Sequence, residues 1–196
     1  LKNKRKQFIN EKYWGKPITG FGDKSGKVLF VGLAPAAHGG TRTGRVFTGD
    51  QSSDFLYKCL YKANISNQPT SLHVNDGLKL NNAYITTALK CVPPEDKPSR
   101  GELHNCFNFF DREINNLKNL KVIVALGKIA FDTCIYFYKI NYNFYDKVKF
   151  KHNKMYKLTN GIILVGCYHP SPRNVNSKII NESKMTEIFL DTKKEL

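Results

Sequence analysis

A chain of 196 residues with 41% apolar content can bury one sizeable core and is short for two, so a single domain is expected over residues 1–196. Lysine and arginine number 31 against 16 acidic residues, and the resulting +15 charge selects polyanionic partners, nucleic acid first, because neutralised phosphates release counterions. No apolar run reaches the ~18 residues of a spanning helix and no apolar leader stands near the start, which argues against a membrane partner and against secretion. Five scattered cysteines, Cys59, Cys91, Cys106, Cys134 and Cys167, are an odd number and argue for buried thiols or metal ligands rather than a disulfide scaffold.

Lys2 to Tyr13 is charged and reads as a basic helix stopped by Trp14-Gly15-Lys16-Pro17. Lys27-Val28-Leu29-Phe30 reads as a buried strand, and the turn that follows, Gly32-Leu33-Ala34-Pro35-Ala36-Ala37-His38-Gly39, leads to a helix from Ser52 to Ala63. Such a strand-to-helix turn presents backbone N–H groups at the carboxyl edge of a sheet. Ile65 to Leu80 has no steady period and reads as an irregular excursion. Asn82 to Leu89 is a second strand, ended by Pro93-Pro94; Ser99 opens a helix with Leu103, Cys106, Phe107, Phe110, Ile114 and Leu117 at helical spacing. Lys121 to Leu126 is the clearest buried strand, followed by a helix over Lys128 to Ile140. Phe144 to Leu158 alternates charged and apolar residues, a hairpin-like insertion with Asn160-Gly161 as a turn. Ile162 to Val165 is the last core strand, and Asn181 to Glu195 a basic terminal helix.

Apolar strands separated by helical segments predict a three-layer α/β/α fold around a central four-stranded parallel sheet. Ligand sites in such sheets lie beyond the carboxyl ends of the strands. The segments expected there are Gly32 to Asp50, Thr87 to Pro94, Gly127 to Ile129 and Tyr168 to Asn176. Phe47, an aromatic in a glycine-rich loop, either stacks on a flat heteroaromatic ring or plugs the loop into the core. His169, placed directly after the last strand, can donate to an oxygen that gains negative charge. Asp76, in Asn75-Asp76-Gly77, is either a turn residue or an acid that orients a water at the sheet edge. Cys91 and Cys106 are too few for a four-thiolate site, so on spacing alone they are ordinary thiols or need partners from elsewhere.

Taken in order, Gly32-Leu33-Ala34-Pro35-Ala36-Ala37-His38-Gly39, Arg45-Val46-Phe47-Thr48-Gly49-Asp50, Tyr84-Ile85-Thr86, Lys90-Cys91-Val92-Pro93-Pro94 and His169-Pro170-Ser171-Pro172 resemble the uracil-DNA glycosylase superfamily, and within it the iron–sulfur, thermophile-type B branch, family 5. The resemblance covers nearly the whole chain. It implies the α/β/α fold with a four-stranded parallel sheet. It also implies excision of uracil, and of other deaminated bases such as hypoxanthine and xanthine, from double- and single-stranded DNA by base flipping and N-glycosidic hydrolysis without a lyase step. By the same resemblance Phe47 stacks on the base, Gly32, Ala34, Pro35, Ala36, Ala37 and His38 line its sugar and water side, and His169 stabilises the leaving base. Ser171 to Asn176, with Asn174 among them, then presses into the duplex.

Where most superfamily members carry an acid or amide in the first motif, this chain has Ala36 and Ala37, which makes Asp76 the leading catalytic candidate. Where another branch places an asparagine that reads the uracil edge, Thr87 stands, and a tolerant pocket follows. The branch implies a structural [4Fe–4S] cluster held by four cysteines. Cys91 and Cys106 match two of them, and the other two are expected upstream of Leu1. A cytoplasmic, prokaryotic monomer, with a sliding clamp as a candidate partner, completes the expectation. The rivals are a lesion-binding module of the same fold that does not cut, and a hydrolase of free nucleosides, which the +15 charge disfavours.

Overall fold

The computed structural model describes residues 4–196. Its centre is formed by four parallel strands, β2 (Val28–Gly32), β3 (Ala83–Thr87), β4 (Val122–Leu126) and β6 (Ile163–Cys167), in the spatial order β3-β2-β4-β6. Nearly every residue of these strands is buried, as expected for a parallel sheet covered on both faces. Alternate residues face opposite ways, and this divides the core in two. Phe30, Val124 and Val165 pack with Leu56 and Leu60 of α2 (Gln51–Lys62) and Ile188 and Phe189 of α6 (Glu182–Lys194). Leu29, Ile123 and Leu164 pack with Phe110 and Ile114 of α3 (Arg100–Asn115) and Phe131 and Phe137 of α4 (Lys128–Tyr142). No helix among the described residues is long and apolar enough to cross a membrane.

The sheet has six strands rather than the four expected, because an antiparallel strand closes each edge. β1 is only Phe21–Gly22, too short to carry a period, and pairs with β3 through Phe21 and Ile85. β5 (Lys154–Lys157) pairs with β6. The hairpin is therefore made with the last core strand, around Asn160 and Gly161 at φ of 66° and 80°, and residues 143–153 add no strand to it. Two short helices escaped the sequence reading: α1 (Gly40–Thr43) in the first loop and α5 (Pro172–Asn176) after β6. The basic helix expected from Lys2 to Tyr13 is a single 3-10 turn, Lys6–Phe8, and its first two positions lie outside the described residues. Instead of continuing as a helix, this segment lies over the first loop, with Trp14 N–H and Gly15 N–H donating to the carbonyls of Arg42 and Thr41.

Helix starts are set by side-chain caps. Asp50 caps α2 and Ser99 caps α3, each in a reciprocal box with Ser53 or Glu102, while Asn181 caps α6. The cap on α2 matters beyond the fold, because it fixes a carboxylate at the sheet's carboxyl edge.

Candidate active site

Gly32 and Thr87 are register partners at the ends of β2 and β3, and His169 stands two residues beyond β6. A Cβ on Gly32 would fall 2.6 Å from Phe47 Cζ, so the glycine is what allows the Phe47 ring to lie against the strand end. Phe47 is itself at φ 48° and 8% exposed, held between the core and the His169 ring, whose centroid is 6.1 Å away at a 33° tilt. The ring is therefore core on one side and borders His169 on the other. Burial pulls the His169 imidazole down to about 4, so at neutral pH it is uncharged and can donate one N–H. Thr87 is buried and its hydroxyl donates to the Leu89 carbonyl at 2.7 Å, so its proton is already committed.

A cavity of about 770 Å³ is lined by Ala36, Ala37, His38, Arg42 and the acids Asp50, Asp54 and Asp96, with Gly49 and Pro172 at its border. Arg42 ties its walls together, donating to the carbonyls of His38 and Gly49 and pairing with Glu11 at 2.8 Å. Tyr13 Oη lies 2.8 Å from His38 Nδ1. Of its three acids, Asp50 is the one fixed as the N-cap of α2. Its Oδ1 accepts from Ser53 N–H at 2.9 Å, while Oδ2 approaches Gly39 so closely that a Cβ there would be 1.9 Å from it. Burial raises the carboxyl's pKa, opposed by the Ser53 and Ser52 N–H groups. Ala36 and Ala37 thus share the cavity lining with a carboxylate supplied from the start of the next helix.

Asp76, expected as a turn residue or as the acid that orients a water, is not among the residues lining this cavity. Its carboxylate is bound by Arg45 through both oxygens at 2.9 and 2.7 Å and also accepts from the N–H groups of Leu72, His73 and Leu78. Burial alone would raise this carboxyl, but Arg45 and the three N–H groups outweigh it and hold it well below the carboxylate range. With these donors in place no lone pair is left to take a proton from water. Ser171 and Asn174 likewise shape their own loop: Ser171 caps α5, and Asn174 Nδ2 donates to the His169 carbonyl at 2.9 Å. These contacts make Asn174 a support for His169, and Pro172 borders the cavity.

A family model described as "Uracil DNA glycosylase superfamily" matches residues 19–193, which span the fold from β1 to all but the last residue of α6. The chain belongs to this superfamily. It is 38% identical to a "Type-5 uracil-DNA glycosylase" of Mycobacterium leprae over 97% of this chain and 83% of the relative. It is 37% identical to that of Thermus thermophilus over 97% and 85%, and 25% identical to a "Type-4 uracil-DNA glycosylase" of Archaeoglobus fulgidus over 79% and 70%. Within the uracil-DNA glycosylase fold, Asp50 is the residue that sequence reasoning passed over. Its signal was present as an Asp closing Phe47-Thr48-Gly49-Asp50 before an apolar helix, but that position equally announces an N-cap, and only the fold shows that it faces Gly39.

Cys91 is exposed and Cys106 partly exposed, and they are close enough that the Cys106 charge adds to the burial that raises the Cys91 thiol. Cys59, Cys134 and Cys167 are buried in the core, where desolvation holds their thiols protonated. Among the described residues no group of three or more metal-ligating side chains is assembled. Two neighbouring surface thiols fit half of a cluster's ligand set.

Proposed function

We propose that this protein excises uracil from DNA as a monofunctional glycosylase, and the observation that carries the reading is the neutral His169 imidazole set against the Phe47 ring just beyond the carboxyl ends of the parallel strands. The superfamily membership and the relatives' names support the substrate. The base leaves the stack and lies against Phe47. As the N-glycosidic bond lengthens, its electron pair moves onto the base, and the neutral His169 N–H donates to the base oxygen that gains the charge. The sugar carbon becomes cationic. Asp50 offsets that charge and holds a water, whose oxygen bonds to the carbon while the carboxylate accepts its proton. Thr87 presents no free donor to the base edge, so hypoxanthine and xanthine are further substrates of the same pocket.

Cys91 and Cys106 would hold two corners of a [4Fe–4S] cluster, and no further ligands for it are assembled beside them among the described residues. The cluster would brace the segment after β3 and takes no part in bond breaking. Brown absorption and iron content of anaerobically purified full-length protein check this; colourless, iron-free protein would sink it. The activity is tested on a uracil-containing duplex: alkali-labile abasic sites are expected with the unaltered chain and not with Asp50→Asn. Tight binding with no alkali-labile sites would instead identify a lesion-binding module.

A further inference from the structure

Asp76 and Arg45 form a buried pair, at 6% and 5% side-chain exposure, that takes no part in the chemistry above. What the pair does hold is a loop. Asp76 accepts from Leu72, His73 and Leu78 N–H, its own N–H donates to the His73 carbonyl, and Asn75 N–H donates to His73 Nδ1. The loop is tied in turn to the base pocket: Ser71 Oγ donates to the Phe47 carbonyl, and Gly49 N–H donates to the Ser71 carbonyl. At the tip of this braced loop Leu72 is 54% exposed and Val74 50% exposed. A slack loop would fold such side chains back against the core; this one cannot.

We propose that the Leu72–Val74 tip is a DNA-contacting wedge that enters the substrate duplex beside the extruded nucleotide, separate from the loop after β6. The inference rests on the glycosylase reading and deepens it. Leu72 borders the same cavity as Asp50 and Pro172, a lining in which Arg5 and Arg42 are balanced by Asp50, Asp54 and Asp96, so the tip stands at the cavity rim and the polyanion is drawn in by the +15 charge of the whole chain. Apolar side chains inserted between base steps unstack them and kink the duplex. A wedge that is already rigid loses no further conformational freedom on contact. This also gives the buried ion pair a purpose, since such pairs specify geometry more reliably than they add stability.

The test compares one uracil sequence as duplex and as single strand under single-turnover conditions, using Leu72→Ala, Val74→Ala and the double substitution. The duplex-to-single-strand rate ratio is expected to fall about ten-fold or more in the double variant, and a bulky aromatic nucleotide opposite uracil, filling the vacated space, restores the duplex rate. A ratio within about two-fold of the unaltered chain, or an equal loss on both substrates, overturns the wedge. Thermal unfolding should be unchanged, because both side chains are solvent-facing. Fluorescence of 2-aminopurine beside uracil reads unstacking without excision: the unaltered tip raises it and the double variant does not. A chain that unstacked the duplex through this tip yet released no uracil would refute the glycosylase reading and leave the wedge standing.

Discussion

At the scale of single residues, Asp76 is closed by Arg45 and three backbone N–H groups, and the water-holding role we propose falls instead to Asp50. Asp50→Asn keeps the N-cap on α2, since an amide oxygen accepts the Ser53 N–H as well, and should slow single-turnover excision by about 10²–10⁴-fold while sparing DNA affinity. Because burial raises the Asp50 carboxyl, its proton-accepting form fills late on the acid side; the excision rate should climb with pH and level off, and the Asn variant should lose that limb. His169 carries the opposite sign. Its folded value of about 4 lies below the free value of 6.5, so the folded chain binds fewer protons between them. That part of the stability is complete above 6.5 and is lost as pH falls toward 4; His169→Gln should flatten the acid side of a urea-unfolding series. For Asp76 the folded carboxyl is depressed, so its contribution is full above the free carboxylate value of about 3.9 and is lost as pH falls further. Asp76→Asn leaves Arg45 buried without its counter-charge and should cost about 3–5 kcal/mol in chemical denaturation.

Elements hold the site through close approaches that only glycine permits. Gly32→Ala forces a methyl to 2.6 Å from Phe47 Cζ, and either the ring or the end of β2 must move. The expected outcome is a loss of about 1–3 kcal/mol, read by thermal unfolding, together with weaker excision as Phe47 leaves its place beside His169. The helices were legible because they announce themselves locally: Asp50, Ser99 and Asn181 are caps followed by periodic apolar residues. α5 was not, since Pro172 reads as an ending and here sits at the start of a helix capped by Ser171. β1 was missed because two residues have no period, although their pairing with β3 places Gly20 N–H on the Glu113 carboxylate.

Across the whole molecule the +15 charge should govern affinity rather than chemistry. Binding to an undamaged duplex should weaken linearly on a log–log plot against salt, by about 10³–10⁵ between 50 and 200 mM if some 6–10 phosphates are engaged. Replacing one phosphate-contacting cation should lower the slope by about one. A flat salt response in a filter-binding or anisotropy titration would remove the electrostatic basis for duplex engagement.

Composition and pattern alone determined the layers, the strands β2, β3, β4 and β6, the polyanion preference and the sheet edge at which the site would lie, because burial and charge act residue by residue. The choice between two acids needed the fold. Asp50 and Asp76 stand 26 positions apart in the same connecting region, and nothing local separates a cap that faces a cavity from a carboxylate closed by Arg45. Contacts between distant segments made that decision: Gly39 against Asp50, Arg45 and Ser71 around Asp76, and Phe47 against Gly32. Free lone pairs and open space are properties of packing, and packing exists only once the chain has folded.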